Sequence, residues 1–345
     1  MKVFKWTVIG AGPTGIAAVG KLIDSGVKPL EIAWVDPEFK VGDLGAKWRR
    51  VSSNTKVDLF TKFLEECPAF RYRMAPDSNL KHLSPEATCL LDEIATPLQW
   101  VSDHLKVAVH PYEAKAESLK LENRAWEIGL GKEKIRSQSV ILATGALPKK
   151  LNFPSLKEIP IEVALNDELL EKENLGNDTV AVFGSSHSSM IVLQNLLKAG
   201  AKKILNFYLS PTKYAVNMGD WILFDNTGLK GEAAAWAKDH IDGALPKSLE
   251  RHPSSSPDFN ALLKGCSKVV YTIGFDRRTP PQTLQFPDLT YNEHNGIIAP
   301  GLFGLGIAYP EMVEDPYGNI EYNVGLWKFM VYLRKVLPLW MQYAP

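Results

Sequence analysis

A strand that runs into a glycine turn and then a helix is written twice in this chain, about 174 residues apart. The first copy is Val8-Ile9-Gly10-Ala11-Gly12-Pro13-Thr14-Gly15, entering an apolar helical run to Ser25. The second is Val180-Ala181-Val182-Phe183-Gly184-Ser185-Ser186-His187, entering Met190 to Ala199. Such a turn aims backbone N–H groups and the positive end of a helix dipole at a pyrophosphate. Two of them in 345 residues constrain the fold to α/β, with room for two domains of ordinary size. They also suggest two dinucleotides, one to hold electrons and one to deliver them.

The first copy carries the fuller signal. Gly10 supplies the tight turn, Gly12 lets the backbone reach the pyrophosphate, and Gly15 lets helix and strand pack closely, with Pro13 and Thr14 between them. Asp36 ends the next strand 21 residues after Gly15, the spacing and chemistry of an acid that accepts from an adenosine ribose. The competing reading is a βαβ unit that only needs small residues at its turn.

Composition removes several function classes. Lys plus Arg equals Asp plus Glu at 39 each, so no global field recruits nucleic acid or anionic lipid. The N-terminus begins a strand almost at once, without a signal-peptide layout, and no apolar run reaches the ~18 residues of a membrane span. Cys67, Cys89 and Cys266 are far apart and form no Cys-x-x-Cys pair, which argues against a disulfide scaffold, a zinc ribbon or a redox dithiol. The histidines show no zinc spacing, so no metal is expected. A cytoplasmic location is the default expectation.

Along the chain, Val3–Ile9, 14–25 and 31–35 read as strand, helix and strand. Residues 37 to 105 read as irregular and mostly helical, interrupted by prolines, and 105–109, 114–121 and 125–129 read as short strands. A buried strand at 139–143 runs into Thr144-Gly145, and Pro148, Pro154 and Pro160 mark a boundary. The second βαβ covers 179–183, 188–199 and 203–209. A helix at 230–240, strands at 268–273 and 301–305, and a final helix at 324–337 complete the reading. The loop 252–257 is Pro/Ser-rich.

Four segments spread over nearly the whole length carry a family resemblance. They are the Gly10 fingerprint, Ala143-Thr144-Gly145 with Pro148, the Gly184 turn, and Tyr271-Thr272-Ile273-Gly274-Phe275 with Arg277. With them the chain resembles the flavoproteins with two dinucleotide-binding domains, the group of flavin-containing monooxygenases and thioredoxin-reductase-like enzymes. The resemblance implies two Rossmann-like three-layer domains, the NAD(P) domain at 151–287 inserted into an FAD domain made of 1–150 and 288–345. FAD would occupy the first site, with Ala114, Thr144, Gly145, Gly306 and Ile307 as further contacts. The family closes its flavin site with a Gly-Asp pair; here Gly306 is followed by Ile307. Trp48 and Asn54 resemble the monooxygenase stretch that lies against the flavin ring, Trp48 as pocket wall and Asn54 as the polar, catalytic group. The alternative for both is a surface loop with a half-buried Trp.

At the second site Gly184, Ser185 and Ser186 would face the pyrophosphate of NADPH or NADH. The next strand ends in Asn206-Phe207-Tyr208 without an acid, and Lys213 is the nearest cation for a 2′-phosphate. His187 is read as capping or packing. The reading is an FAD-dependent NAD(P)H oxidoreductase, passing electrons to oxygen and a small organic substrate or to an electron-carrier protein. Two other classes stand beside it: a non-catalytic redox sensor, and a serine hydrolase using Ser186 with His240, His252 or His294. The stretch 214–226 is a lid, a substrate wall or core packing. Trp340, Met341 and Tyr343 are candidates for covering a partner or a homo-oligomer interface.

Overall fold

The computed structural model describes residues 2–286 and 289–343. Its contacts divide into two compact units, one of Met1–Arg49, Lys56–Ala146 and Arg277–Pro345, the other of Arg50–Thr55 and Leu147–Asp276. The first unit opens with β1 (Val3–Ile9), α1 (Pro13–Asp24) and β2 (Ile32–Val35). It continues through α2 (Gly42–Ala46), α3 (Val57–Glu65) and α4 (Asp92–Ala108) to β3 (His110–Tyr112), β4 (Ser118–Glu122), β5 (Ala125–Leu130) and β6 (Glu133–Leu142). The second unit contains β7 (Lys157–Glu158), β8 (Thr179–Phe183), α5 (His187–Lys198), β9 (Lys203–Tyr208) and α6 (Gly231–His240). It ends with β10 (Leu249–Pro253), α7 (Phe259–Lys264) and β11 (Lys268–Tyr271). The first unit then resumes with β12 (Gln282–Thr283), β13 (Ile297–Ala299), β14 (Leu302–Gly304) and α8 (Leu326–Trp340).

The first sheet runs β12–β4–β5–β6–β1–β2–β3, with β14 pairing alongside β6 and β13 alongside β14. Its centre is parallel, as a βαβ connection requires, while β4, β5 and β6 form an antiparallel meander. Strand side chains alternate between the faces. Val8, Ile32 and Trp34 therefore join α1, α3, α4 and α8 in one core. Ile9, Ala33 and Val35 join Leu119, Trp126 and Ile128 of the meander in another. Burial on both faces explains why β2 is an unbroken apolar run, Ile-Ala-Trp-Val.

The second sheet, β7–β11–β8–β9–β10, is parallel throughout. On one face Phe183 and Phe207 lie 5.3 Å apart between centroids, flanked by Phe153 and Phe259. That aromatic cluster is the core of this unit's face.

Two sequence expectations change. Residues 105–109, read as a strand, are the last turn of α4 and its cap, and the helix passes through Pro97. Leu98, Val101 and Leu105 recur at helical spacing and are buried, so the helical period overrides the β-branched residues around them. Trp340 lies within α8, fully buried, stacked on Phe303 at 4.8 Å and donating its indole N–H to Asn295 O at 2.6 Å. Its side chain covers the chain's own core. The boundary expected at 287/288 falls on residues outside the described set, and the units divide at Asp276/Arg277. The stretch from Arg277 belongs with the first unit, where β12 pairs with β4 and Arg277 Nε donates to Ala308 O at 2.6 Å.

Candidate functional site

Both glycine turns sit where the direction of strand order reverses, the place where open parallel sheets bind ligands. They are held by the same bonds. In the first unit Gly10 N donates to Val35 O at 2.7 Å and Ala143 N to Ile9 O at 2.8 Å. In the second, Gly184 N donates to Phe207 O at 2.9 Å and Thr272 N to Phe183 O at 2.8 Å. Each turn is thus clamped between the strands on either side of it.

The first turn requires its glycines. Gly10 has φ +113°, and a Cβ there would lie 2.2 Å from Ala143 O. A Cβ on Gly15 would strike Gly10 O. A Cβ on Gly12 would meet Gly42 Cα at 4.0 Å, and one on Gly42 would lie 3.0 Å from Gly12 Cα, so the start of α2 packs closely against the turn. Helix α1 has Pro13 in its first turn, where a missing N–H costs nothing, and no acid there to repel an anion. Gly306, at φ +89°, brings its backbone against the Thr14 side chain, so the segment expected to close the site does reach this helix end. Ile307 is half-buried in the turn closed by Tyr309 N to Gly306 O, and offers no carboxylate. This cradle of small residues around an unblocked helix N-terminus fits the diphosphate of FAD.

Around the cradle the structure brings in further side chains. The Trp34 indole N–H donates to Gly10 O at 2.9 Å. Arg277 lies over the Tyr309 ring at 4.3 Å while gripping Ala308 O, and the Tyr291 hydroxyl donates to Tyr309 O at 2.7 Å. Arg278 N donates to Gly145 O at 3.2 Å, and its guanidinium pairs with Asp43 of α2. Thr144 and Gly145 therefore stand between β6 and this arginine clasp. Burial raises the Tyr291 and Tyr309 hydroxyl pKa values, keeping both neutral donors.

Asp36 is more engaged than a free ribose acceptor. Its carboxylate accepts from Ala11 N at 2.7 Å, Phe39 N at 2.8 Å and Glu38 N at 2.9 Å. It therefore ties the glycine turn to the end of β2, whatever else it binds. Asp36→Ala is expected to cost about 2 kcal/mol of stability and to weaken flavin retention, with Asp36→Asn intermediate because one acceptor oxygen survives. Urea melts of both variants, with flavin content measured after gel filtration, check this. Ala114 N donates to the same Tyr112 O that accepts from Asp36 N, which places Ala114 beside the acid. Trp48, half-buried, follows α2 in the first unit, whereas Asn54 belongs to the second unit, exposed, with Oδ1 accepting from the Thr55 hydroxyl.

In the second unit, Gly184 has φ +123°, and a Cβ would lie 2.4 Å from both Thr272 O and Thr272 Oγ1. Ser185 Oγ donates to Ser210 O at 3.0 Å, Ser186 is exposed before α5, and Ser189 Oγ donates to Gly184 O at 2.8 Å. Asn206 Nδ2 donates to Gly184 O at 2.8 Å and to Val182 O at 3.1 Å. Lys213 carries its ammonium over the Phe224 ring at 4.8 Å. His240 is stacked on Trp236, and His252 is turned to Glu250 and Phe207, so each is committed away from a triad.

His187 packs, with Nε2 3.3 Å from Ser52 O and Nδ1 buried without a partner. Desolvation lowers its pKa. A lowered folded-state pKa means the unfolded chain takes up protons first, so stability is full above the ordinary histidine value of about 6.5 and falls as pH drops through the folded value. His187→Gln is expected to flatten that acid limb of melting temperature against pH.

The family model described as pyridine nucleotide-disulphide oxidoreductase matches residues 7–211, from β1 through β9. The chain belongs to that family. A monooxygenase of Paecilomyces divaricatus, AgnR1, is 32% identical, the match covering 97% of each chain. Among solved structures, a flavin-containing monooxygenase from Stenotrophomonas maltophilia superposes with TM-score 0.68 at 14% identity, covering 99% of both chains. The thioredoxin reductase of Lactococcus lactis gives 0.58 at 11% identity, covering 99% of this chain and 98% of that one. At such identities the two structures speak to the fold, which is that of two-domain flavoproteins. This member of the family is an FAD-dependent oxidoreductase that uses NAD(P)H as its nicotinamide partner. No helix of the described residues is long and apolar enough to cross a membrane.

Proposed function

We propose that this oxidoreductase is a monooxygenase acting on a small organic molecule. The observation that carries the reading is the 32% identity, along nearly the whole of both chains, to a monooxygenase. The cysteines support it. Cys67 is buried beside Phe70 in the first unit with its thiol pKa raised by burial, and Cys266 is buried in the second with its pKa pushed up to about 11. Neither has the lowered pKa of an activated thiolate, which supports a route for electrons other than the redox dithiol of disulfide reductases.

In this reading Gly10, Gly12, Pro13, Thr14, Gly15 and Asp36 hold FAD, with Gly306 and Ile307 closing on it. Gly184, Ser185 and Ser186 hold the nicotinamide nucleotide. Bound flavin supplies hydride acceptance and oxygen chemistry, and the protein supplies position, polarity and exclusion of water. Trp34 and Asn206 fix the two turn carbonyls from their second strands, so the N–H groups of each turn are preset for a diphosphate. The Arg277–Tyr309–Tyr291 clasp holds the closing turn in place.

The deciding experiment reduces the holoprotein anaerobically and then admits air. A monooxygenase is expected to consume oxygen well before peroxide and the oxidised spectrum return. Peroxide release that keeps pace with oxygen uptake from the first moment would contradict it and favour reduction of a carrier protein.

A further inference from the structure

The two turns can be compared position by position, because the register of each strand pair is the same. Trp34 pairs with Val8 and bonds the carbonyl two residues on, at Gly10; Asn206 pairs with Val182 and bonds the carbonyl two residues on, at Gly184. Two residues beyond Trp34 stands the acid Asp36. Two residues beyond Asn206 stands Tyr208, with the Arg251 guanidinium 4.7 Å over its ring. Where the first copy carries an anion, the second carries a cation.

Arg251 arrives from β10, where it is the register partner of Asn206. Its Nε donates to Asn206 Oδ1 at 2.9 Å, and one terminal nitrogen donates to Thr212 Oγ1 at 3.3 Å. The other, Nη2, is buried with no acceptor. A buried guanidinium N–H without a partner is costly and calls for an acceptor. Ser185 of the turn is bonded to Ser210 of the same loop that carries Thr212, which ties the turn to the loop beside the arginine. The neighbouring carboxylate, Asp242, is engaged by the Tyr214 hydroxyl at 2.6 Å, and the Lys238 ammonium lies over the Tyr214 ring. Acids at this place accept from a ribose 2′-hydroxyl, whereas an arginine suits a 2′-phosphate, to which it offers a planar fork of donors.

We propose that Arg251 binds the 2′-phosphate of the nicotinamide nucleotide and selects NADPH over NADH, with Thr212 yielding its place on the fork to phosphate oxygens. This rests on the reading that the Gly184 turn binds a pyridine nucleotide. It displaces Lys213 from that role.

The test uses the FAD-loaded protein and two probes, adenosine 2′,5′-bisphosphate and 5′-AMP, titrated calorimetrically against wild type, Arg251→Gln and Arg251→Lys. Wild type is expected to prefer the 2′-phosphorylated probe by about tenfold or more, the equivalent of about 1.4 kcal/mol. Arg251→Gln should abolish the preference while leaving 5′-AMP binding within about threefold, and Arg251→Lys should restore part of it. A merely structural arginine would weaken both probes together and leave the ratio intact, which overturns the proposal. Equal binding of the probes by wild type also overturns it, with the nucleotide reading preserved. Binding of neither probe sinks the nucleotide reading and the proposal together. In turnover the same variant should raise KM for NADPH with kcat nearly unchanged.

Discussion

Gly10→Ala is expected to yield a folded chain that cannot keep FAD. The added Cβ would sit 2.2 Å from Ala143 O, at a φ of +113° that L residues rarely adopt. Ala143 directly follows β6 and is anchored by its N–H donating to Ile9 O at 2.8 Å, so its carbonyl has little room to retreat and the turn itself must move. Its N–H groups then miss the diphosphate. FAD affinity should fall by at least about tenfold, or about 1.4 kcal/mol, read as flavin lost on gel filtration. A variant that retained its yellow colour at wild-type affinity would show that the turn does not hold the cofactor.

Gly184→Ala should separate the two nucleotides. The clash here is with Thr272 O and with Oγ1, which is itself bonded to Phe183 O at 2.5 Å, and φ is +123°. The damage lies within the second unit. FAD content should therefore stay near wild type, while anaerobic reduction of the flavin by NADPH slows by about tenfold or more at sub-saturating nucleotide. Chemical reduction by dithionite should be unaffected. If the variant were reduced by NADPH as fast as wild type, the second turn would have no part in delivering electrons.

What could be read from the sequence was what lies close along the chain. Gly10, Gly12 and Gly15, the helix they open and Asp36 all fall within one βαβ unit, so spacing alone revealed them. The features that fix the turns depend on register. Trp34 and Asn206 look like ordinary strand residues until β1 is laid beside β2, and β8 beside β9. Lys213 is the nearest cation in sequence, whereas Arg251, the residue proposed for the 2′-phosphate, sits on the next parallel strand, 45 residues from Asn206, whose Oδ1 it bonds. The clasp of Arg277 on Ala308 spans 31 residues and was visible only as part of a motif. Leu105 misled for a related reason. Its β-branched neighbours favour a strand, and only burial of Leu98, Val101 and Leu105 along one face shows the helix.

The central claim is a chain that holds FAD and accepts electrons from a nicotinamide nucleotide. An anaerobic titration of the purified yellow protein with NADPH tests it most directly, with the flavin absorbance read after each addition. The oxidised band is expected to bleach linearly and to be lost at one equivalent per bound flavin, with NADH far less effective. A folded protein that carries no flavin, or a flavin that stays oxidised under excess of either nucleotide, would contradict the account.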